Sequence, residues 1–156
     1  MGKADVILAD GRPQREAAFA VREAVFVDEQ EIPLPLEFDG LDDEADHLLA
    51  RLNGKTVGTL RLRRIGGASA KIERVAVLEH ARGHGIGAAL VIAAIEHLRE
   101  QSLREARLHA QTYALGFYTK LGFTAFGDVF DEDGIPHRAM RMDLVAEMPP
   151  ASAAER

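Results

Sequence analysis

Apolar residues change their spacing several times along this chain, and each change marks an element. Val6-Ile7-Leu8 is a short apolar run that reads as a first strand. From Arg12 to Val27, Ala18, Val21, Ala24 and Val25 recur at three- and four-residue spacing, with Arg22 and Glu23 on the other side, which predicts one helix. Pro33 and Pro35 stop regular structure, and an acidic loop follows. His47–Leu52 and Thr56–Arg63 read as strands, joined at Asn53-Gly54-Lys55 by a tight hairpin, because Asn-Gly tolerates positive φ. Gly66-Gly67 marks a second turn, and Lys71–Val77 the next strand. Ile86 to roughly Glu100 carries Leu90, Ile92, Ala93, Ala94, Ile95 and Leu98, the content of a helix mostly buried against a sheet. Arg107–Gln111 reads as a strand, and Ala114–Leu121 as a short helix stopped at Gly122. Thr124–Phe130 and Arg138–Leu144 read as the last strands, with a turn at Asp131-Glu132-Asp133-Gly134. The element order predicts one α+β domain over residues 4–145, and residues 146–156 read as a disordered tail.

Composition narrows the class. The chain has 156 residues, 47% hydrophobic and 28% charged, as expected of one soluble domain with a real core. No apolar run is long enough to span a membrane, and the N-terminus lacks the shape of a secretory signal. Gly2 is followed by Val6 where a myristoylation motif wants Ser or Thr. Cysteine is absent, which excludes disulfides, thiolate metal sites and a cysteine nucleophile. A cytoplasmic location fits these features. Net charge is −6, from 25 acidic and 19 basic residues, which argues against nucleic acid as the main partner. Acids gather between Asp28 and Asp46, including Glu29, Glu31, Glu37, Asp39, Asp42, Asp43 and Glu44. A solvated loop explains them most simply; a rim that attracts a cationic amine is the functional alternative.

The strongest chemical signal is Arg82-Gly83-His84-Gly85-Ile86-Gly87-Ala88, lying between a β-branched strand and a long helix. Glycines there let a pyrophosphate approach backbone N–H groups at a helix N-terminus, where the macrodipole favours negative charge. A P-loop would need a Lys-Ser or Lys-Thr pair directly after its glycines, and here Ala88-Ala89 follows Gly87. A dinucleotide fingerprint, Gly-x-Gly-x-x-Gly, fails because Gly87 comes one residue early and hairpin strands precede the loop. Arg82, Gly85 and Gly87 do match Arg/Gln-x-x-Gly-x-Gly/Ala. This is the pyrophosphate loop of the GNAT superfamily of N-acetyltransferases, which the chain resembles.

Further segments carry the resemblance over about Val6 to Leu144. Ala114-Leu115-Gly116-Phe117-Tyr118-Thr119-Lys120-Leu121-Gly122-Phe123 is similar to the family's late helix. Val21–Gln30, Phe38-Asp39-Gly40 and Glu132–His137 resemble the bacterial ElaA-like branch. The resemblance implies a GNAT fold, with α/β/α layering and a mixed, mostly antiparallel sheet of about seven strands. It implies acetyl-CoA as co-substrate, no metal, and direct attack of a primary amine in a ternary complex. Acceptors in the family include small molecules, peptides and protein amines, so a small-molecule or peptide amine is expected, with no nucleic acid and no membrane partner, in a monomer or homodimer.

Transferring an acetyl group from a thioester to an amine needs a held cofactor, a deprotonated amine and a stabilised thiolate. By resemblance, backbone groups of Val75, Ala76 and Val77 pair with the pantetheine arm, and Val77 N–H polarises the thioester carbonyl. Arg82, Gly83, His84, Gly85, Ile86, Gly87 and Ala88 wrap the pyrophosphate. Tyr118 is expected to donate its phenolic proton toward the departing sulfur. Gln111 stands where the family often has Asn. Candidate bases are Glu73, His109 and His137. Each has a structural alternative: Glu73 can pair with Arg61 or Arg74, and a lone His on a strand is more often structural. No pair among His47, His80, His84, His97, His109 and His137 shows metal-ligand spacing with a known partner set. Two other functions compete with an acetyltransferase: an enzyme using a different acyl-CoA, and a CoA-binding sensor without turnover.

Overall fold

A computed structural model describes residues 4–145. The tail, residues 146–156, lies outside the described residues. The architecture is α+β, a mixed seven-stranded sheet with helices, as the element order predicts. By compactness the chain divides into two units, one of residues up to Arg63 plus Ile72–Ala94, the other of Arg64–Lys71 and the chain from Ile95.

In the first unit the strands are β1 (Asp5–Leu8), β2 (Asp46–Leu52), β3 (Lys55–Gly66, up to Arg63 here) and β4 (Ser69–Val77, from Ile72 here). They lie in sequence order, and β1–β2 and β2–β3 pair antiparallel. Asn53 and Gly54 turn the β2–β3 hairpin with φ of 51° and 80°, the left-handed pair that a two-residue turn requires. The core is Leu48, Leu49, Ala50, Leu60, Ala76, Leu90 and Val91, all nearly inaccessible.

The single helix expected over Arg12–Val27 is instead two. Helix α1 (Arg12–Arg22) is followed by a π-helical stretch, Glu23–Glu29, closed by Gln30 N–H donating to the Val25 carbonyl five residues back. Three- and four-residue apolar spacing does not distinguish this wider winding from an α-helix, because both bury one stripe. The winding places adjacent Val25 and Phe26 inside. Pro33 and Pro35 do not end structure outright. Pro33 precedes and Pro35 lies within the first turn of a one-turn helix, α2 (Leu34–Glu37), where a proline that has no N–H to offer is tolerated.

Helix α3 (Ile86–Glu100) approaches β3 and β4 closely at Gly58. A Cβ there would meet Leu90 Cδ1 at 3.0 Å, the Ala76 carbonyl at 3.2 Å and Ile86 Cγ2 at 3.3 Å. Glycine at this position therefore sets how near the start of α3 comes to the end of β4.

In the second unit β5 (Glu105–Gln111), β7 (Ile135–Asp143) and β6 (Thr124–Glu132) lie in that order, both pairs antiparallel. The β6–β7 turn is tighter than expected, only Asp133 and Gly134, with φ of 54° and 80°. Ala106, Leu108 and Ala110 alternate inward on β5, leaving Arg107 and His109 on the other face. Helix α4 (Leu115–Lys120) follows β5 through a 3-10 turn at Thr112–Ala114. Gly122 ends α4 at φ 106°, where a Cβ would strike Met142 Cε at 2.8 Å.

Candidate active site

The glycine loop lies in the first unit between the 3-10 turn Glu79–Ala81 and α3. Arg82 N–H donates to Glu79 O, and Ala89 N–H to Gly85 O. Among the described residues, the backbone N–H groups of residues 83–88 have no acceptor. They are the orphan donors of a helix start, extended backwards through the loop. Gly83 and Gly85 adopt φ of 83° and 75°, and a Cβ at either would meet nothing within 4 Å. The loop thus presents bare amides to open space at the positive end of a fifteen-residue helix. This donor set fits a pyrophosphate. His84 is exposed there, and Ile86 is buried beneath.

The Arg82 side chain holds the loop from outside. Its Nε donates to the Val77 carbonyl at 2.9 Å, and its two terminal nitrogens clamp Glu29 at 2.9 and 2.6 Å. The hydrogen bond from Arg82 holds the Glu29 carboxyl below its ordinary range. Arg82 therefore ties the loop to the last residue of the π-helical stretch and to the end of β4.

Val75, Ala76 and Val77 end β4, Ala76 buried and its neighbours half-buried. Just before them Arg74 takes φ 58°, a left-handed conformation that a β-carbon disfavours. Strict alternation from Glu73 through Val75 is interrupted there, so these residues are not simply one face of a flat strand. The guanidinium of Arg74 is anchored by the Glu37 carboxylate at 3.1 Å, the Glu37 carbonyl at 3.2 Å and Asp39 at 3.2 Å. These contacts offset the strain.

Glu73 sits inside an arginine cluster. Its Oε1 accepts from Arg61 at 2.8 and 3.1 Å and from Arg63 at 2.9 Å, and its Oε2 from Arg63 at 3.3 Å. Arg61 is fully buried and also binds Asp39 and Asp42. Arg22, likewise fully buried, binds Glu37 at 2.9 Å and Asp42 at 2.6 Å, and its guanidinium lies 4.8 Å from the Phe38 ring centre. Burial raises the Glu37 carboxyl against the pull of Arg74 and Arg22. Asp39 and Asp42 are held below the ordinary carboxylate range: burial, the largest influence, raises them, and it is outweighed by hydrogen bonds from Arg61 and Arg22 respectively. Three members of the acidic segment thus face inward as arginine partners and do not form an open rim. His47 Nε2 donates to the Asp42 carbonyl, and burial lowers the pKa of its ring.

Tyr118, Gln111, His109 and His137 belong to the second unit. Tyr118 is 8% exposed and packs edge-on against Phe117 and Phe123, with centroids 4.9 and 6.0 Å away. Its hydroxyl makes no hydrogen bond among the described residues. Burial raises the phenol well above its ordinary value, with a smaller push from Tyr113. Gln111 ends β5 opposite His137 of β7.

One cluster joins two of the expected histidines through Glu132, a residue expected in the turn before the last strand. His109 Nδ1 lies 2.9 Å from Glu132 Oε1, and His137 Nε2 lies 3.7 Å from Glu132 Oε2. Phe130 meets His109 edge-on at 4.9 Å and stacks on His137 at 6.1 Å. The His109 hydrogen bond, the largest cause, lowers the Glu132 carboxyl. No group of three or more metal-ligating side chains occurs among the described residues, and no described helix is long and apolar enough to cross a membrane.

Comparison with known proteins fits these features. The model of the acetyltransferase (GNAT) domain matches residues 16–144. A Bacillus subtilis protein provisionally named an acetyltransferase is 42% identical over 126 residues, covering 79% of this chain and 85% of that protein. A solved Lactobacillus plantarum protein, provisionally an N-acetyltransferase, superposes with TM-score 0.85 at 30% identity, covering 92% of this chain and 99% of its own. Escherichia coli ElaA superposes with TM-score 0.80 at 29% identity, covering 92% and 100%. A more distant protein of the same fold, from Elizabethkingia anophelis, was solved with acetyl-CoA bound; it is 17% identical, with TM-score 0.68 and coverage of 90% and 97%. The chain belongs to the GNAT acetyltransferase family, on its ElaA-like branch.

Proposed function

We propose that this protein transfers an acetyl group from acetyl-CoA to a primary amine by direct attack in a ternary complex. The observation that carries the reading is the run of acceptorless amides at residues 83–88, at the start of α3. In the family such a loop belongs to CoA, and here the donor set and the open space above Gly83 and Gly85 suit a pyrophosphate.

Bound acetyl-CoA supplies an activated thioester. The chain supplies the rest. Residues 83–88 donate to the pyrophosphate. Val75, Ala76 and Val77 offer backbone groups to the pantetheine arm, and Val77 N–H is assigned to the thioester oxygen, where charge develops. Gln111 is assigned to the pantetheine side. Tyr118, a phenol and so protonated at neutral pH, donates toward the sulfur as it departs. Glu73 has both oxygens turned to guanidinium groups, so its assigned work is to hold Arg61 and Arg63. The acceptor is a small-molecule or peptide amine.

Isothermal calorimetry tests the cofactor, and CoA release with an amine panel tests turnover. Binding without release from any amine would favour a CoA-binding module. Faster release with another acyl-CoA would change the donor and leave the loop's assignment intact.

A further inference from the structure

The remaining chemical need is a proton acceptor for the amine. We propose that His109 and Glu132 form a carboxylate–imidazole dyad that takes this proton at His109 Nε2, a role that rests on the acetyltransferase reading.

Hydrogen-bond geometry orients the ring. An ionised carboxylate only accepts, so the 2.9 Å contact with Glu132 puts the His109 proton on Nδ1. The lone pair of the neutral ring then sits on Nε2, which has no hydrogen-bond partner among the described residues. The edge-on contact with Phe130 fixes the ring plane. His109 is about one-third exposed, open enough to meet a solute. Two other imidazoles, His137 and His47, are shielded from a solute by burial. His137 is nearly buried and donates from Nδ1 to the Ile135 carbonyl at 2.7 Å. His47 Nε2 is tied to the Asp42 carbonyl.

A half-exposed pair of this type adds little to stability, so structural need alone does not account for it. Its setting is chemical. β5 carries His109 and Gln111 on one face and runs through the 112–114 turn into α4, which carries Tyr118. Charged groups near the dyad are His137 on β7 and Lys71 on β4, both felt by Glu132, and Arg107 on β5, which is bound to Glu105.

The step balances. The ammonium group of the acceptor loses one proton to Nε2, giving a neutral amine and an imidazolium paired with Glu132. The amine nitrogen forms a bond to the acyl carbon, the carbon–sulfur bond breaks, the thiolate takes the Tyr118 proton, and the second nitrogen proton restores the phenol. The imidazolium returns its proton to water.

Long-range proton–nitrogen NMR on the full chain reads the tautomer without any acceptor. The neutral His109 ring is expected to carry its proton on Nδ1, and to lose that preference in Glu132→Leu, which has no acceptor. A neutral ring protonated at Nε2 in the wild type overturns the proposal. Kinetics with acetyl-CoA and n-butylamine, lysine amide or spermidine supply the second readout. His109→Gln is expected to lower kcat about 100-fold, with the KM for acetyl-CoA within about threefold, and to remove the acid limb of the rate–pH profile. Imidazole in solution should restore part of the rate of His109→Ala. An unchanged rate and limb in His109→Gln overturn the dyad while leaving the transferase reading intact. No CoA release from the wild type with any amine overturns the transferase reading, and the dyad with it.

Discussion

Arg22 and Arg61 in the first unit and His109 and Tyr118 in the second represent two uses of polar side chains. The arginines are fully buried, and carboxylates of Glu37, Asp39, Asp42 and Glu73 meet them. Their hydrogen-bonding capacity is spent inside the protein, where it holds α1, the 37–42 segment, β3 and β4 to one another. In the second unit, His109 commits one nitrogen and leaves the other unused, and the Tyr118 hydroxyl has no partner among the described residues. A satisfied buried network specifies a shape, whereas a side chain with an unused donor or acceptor is available to a ligand. At its glycine loop the first unit also has an unsatisfied set, made of backbone: the amides of residues 83–88. Beside that loop Arg82 clamps Glu29 and the Val77 carbonyl.

Substitutions can break this contrast. Arg61→Leu leaves Asp39, Asp42 and Glu73 without their shared cation and is expected to cost about 3–5 kcal/mol in urea unfolding. Arg141→Leu, which removes only a guanidinium lying 4.8 Å from the Phe126 ring centre in the second unit, is expected to cost about 1 kcal/mol or less. Equal costs would erase the distinction. Tyr118→Phe reverses the pattern: kcat should fall about 100-fold while calorimetric affinity for acetyl-CoA and the melting temperature stay near wild type. If activity is unchanged, Tyr118 is only a packing residue for Phe117 and Phe123.

Acid sharpens the same point. Asp39 and Asp42 have folded pKa values below their unfolded ones, so their contribution is complete above the unfolded value and is lost as pH falls toward the folded one. Unfolding free energy should therefore decline below about pH 4, less steeply in Asp39→Asn. Glu37, raised by burial, acts in the opposite sense and moderates the decline. The smallest effect is expected at the exposed clamp: Glu29→Gln should change stability by less than about 1 kcal/mol and weaken acetyl-CoA binding only a few-fold.

Local chemistry was legible where a residue type forces a backbone state. Asn53-Gly54 announced its hairpin, and the glycines after Arg82 announced a loop of bare amides, because both rest on conformations that few residues adopt. Features that depend on partners distant in sequence were not legible. Glu132 reads as turn material, yet the two-residue turn at Asp133-Gly134 folds its strand back so that it reaches His109, 23 residues away. The acidic segment reads as solvated because its arginine partners lie on α1, β3 and β4, and only folding brings them together. The π-helical winding was hidden because apolar spacing reports which stripe is buried, not which carbonyl an N–H chooses. The alternation expected through Glu73 and Val75 could not register the left-handed turn of Arg74.

The central claim is that bare amides at the start of α3 hold the pyrophosphate of acetyl-CoA. Calorimetric titration of acetyl-CoA into the wild type and Gly85→Trp tests it most directly, with melting temperatures confirming that both are folded. The bulky ring would fill open space above the loop, where a Cβ now meets nothing within 4 Å. The account predicts saturable binding to the wild type and none detectable to the folded variant. Equal binding to both, or none to the wild type at millimolar ligand, would contradict it.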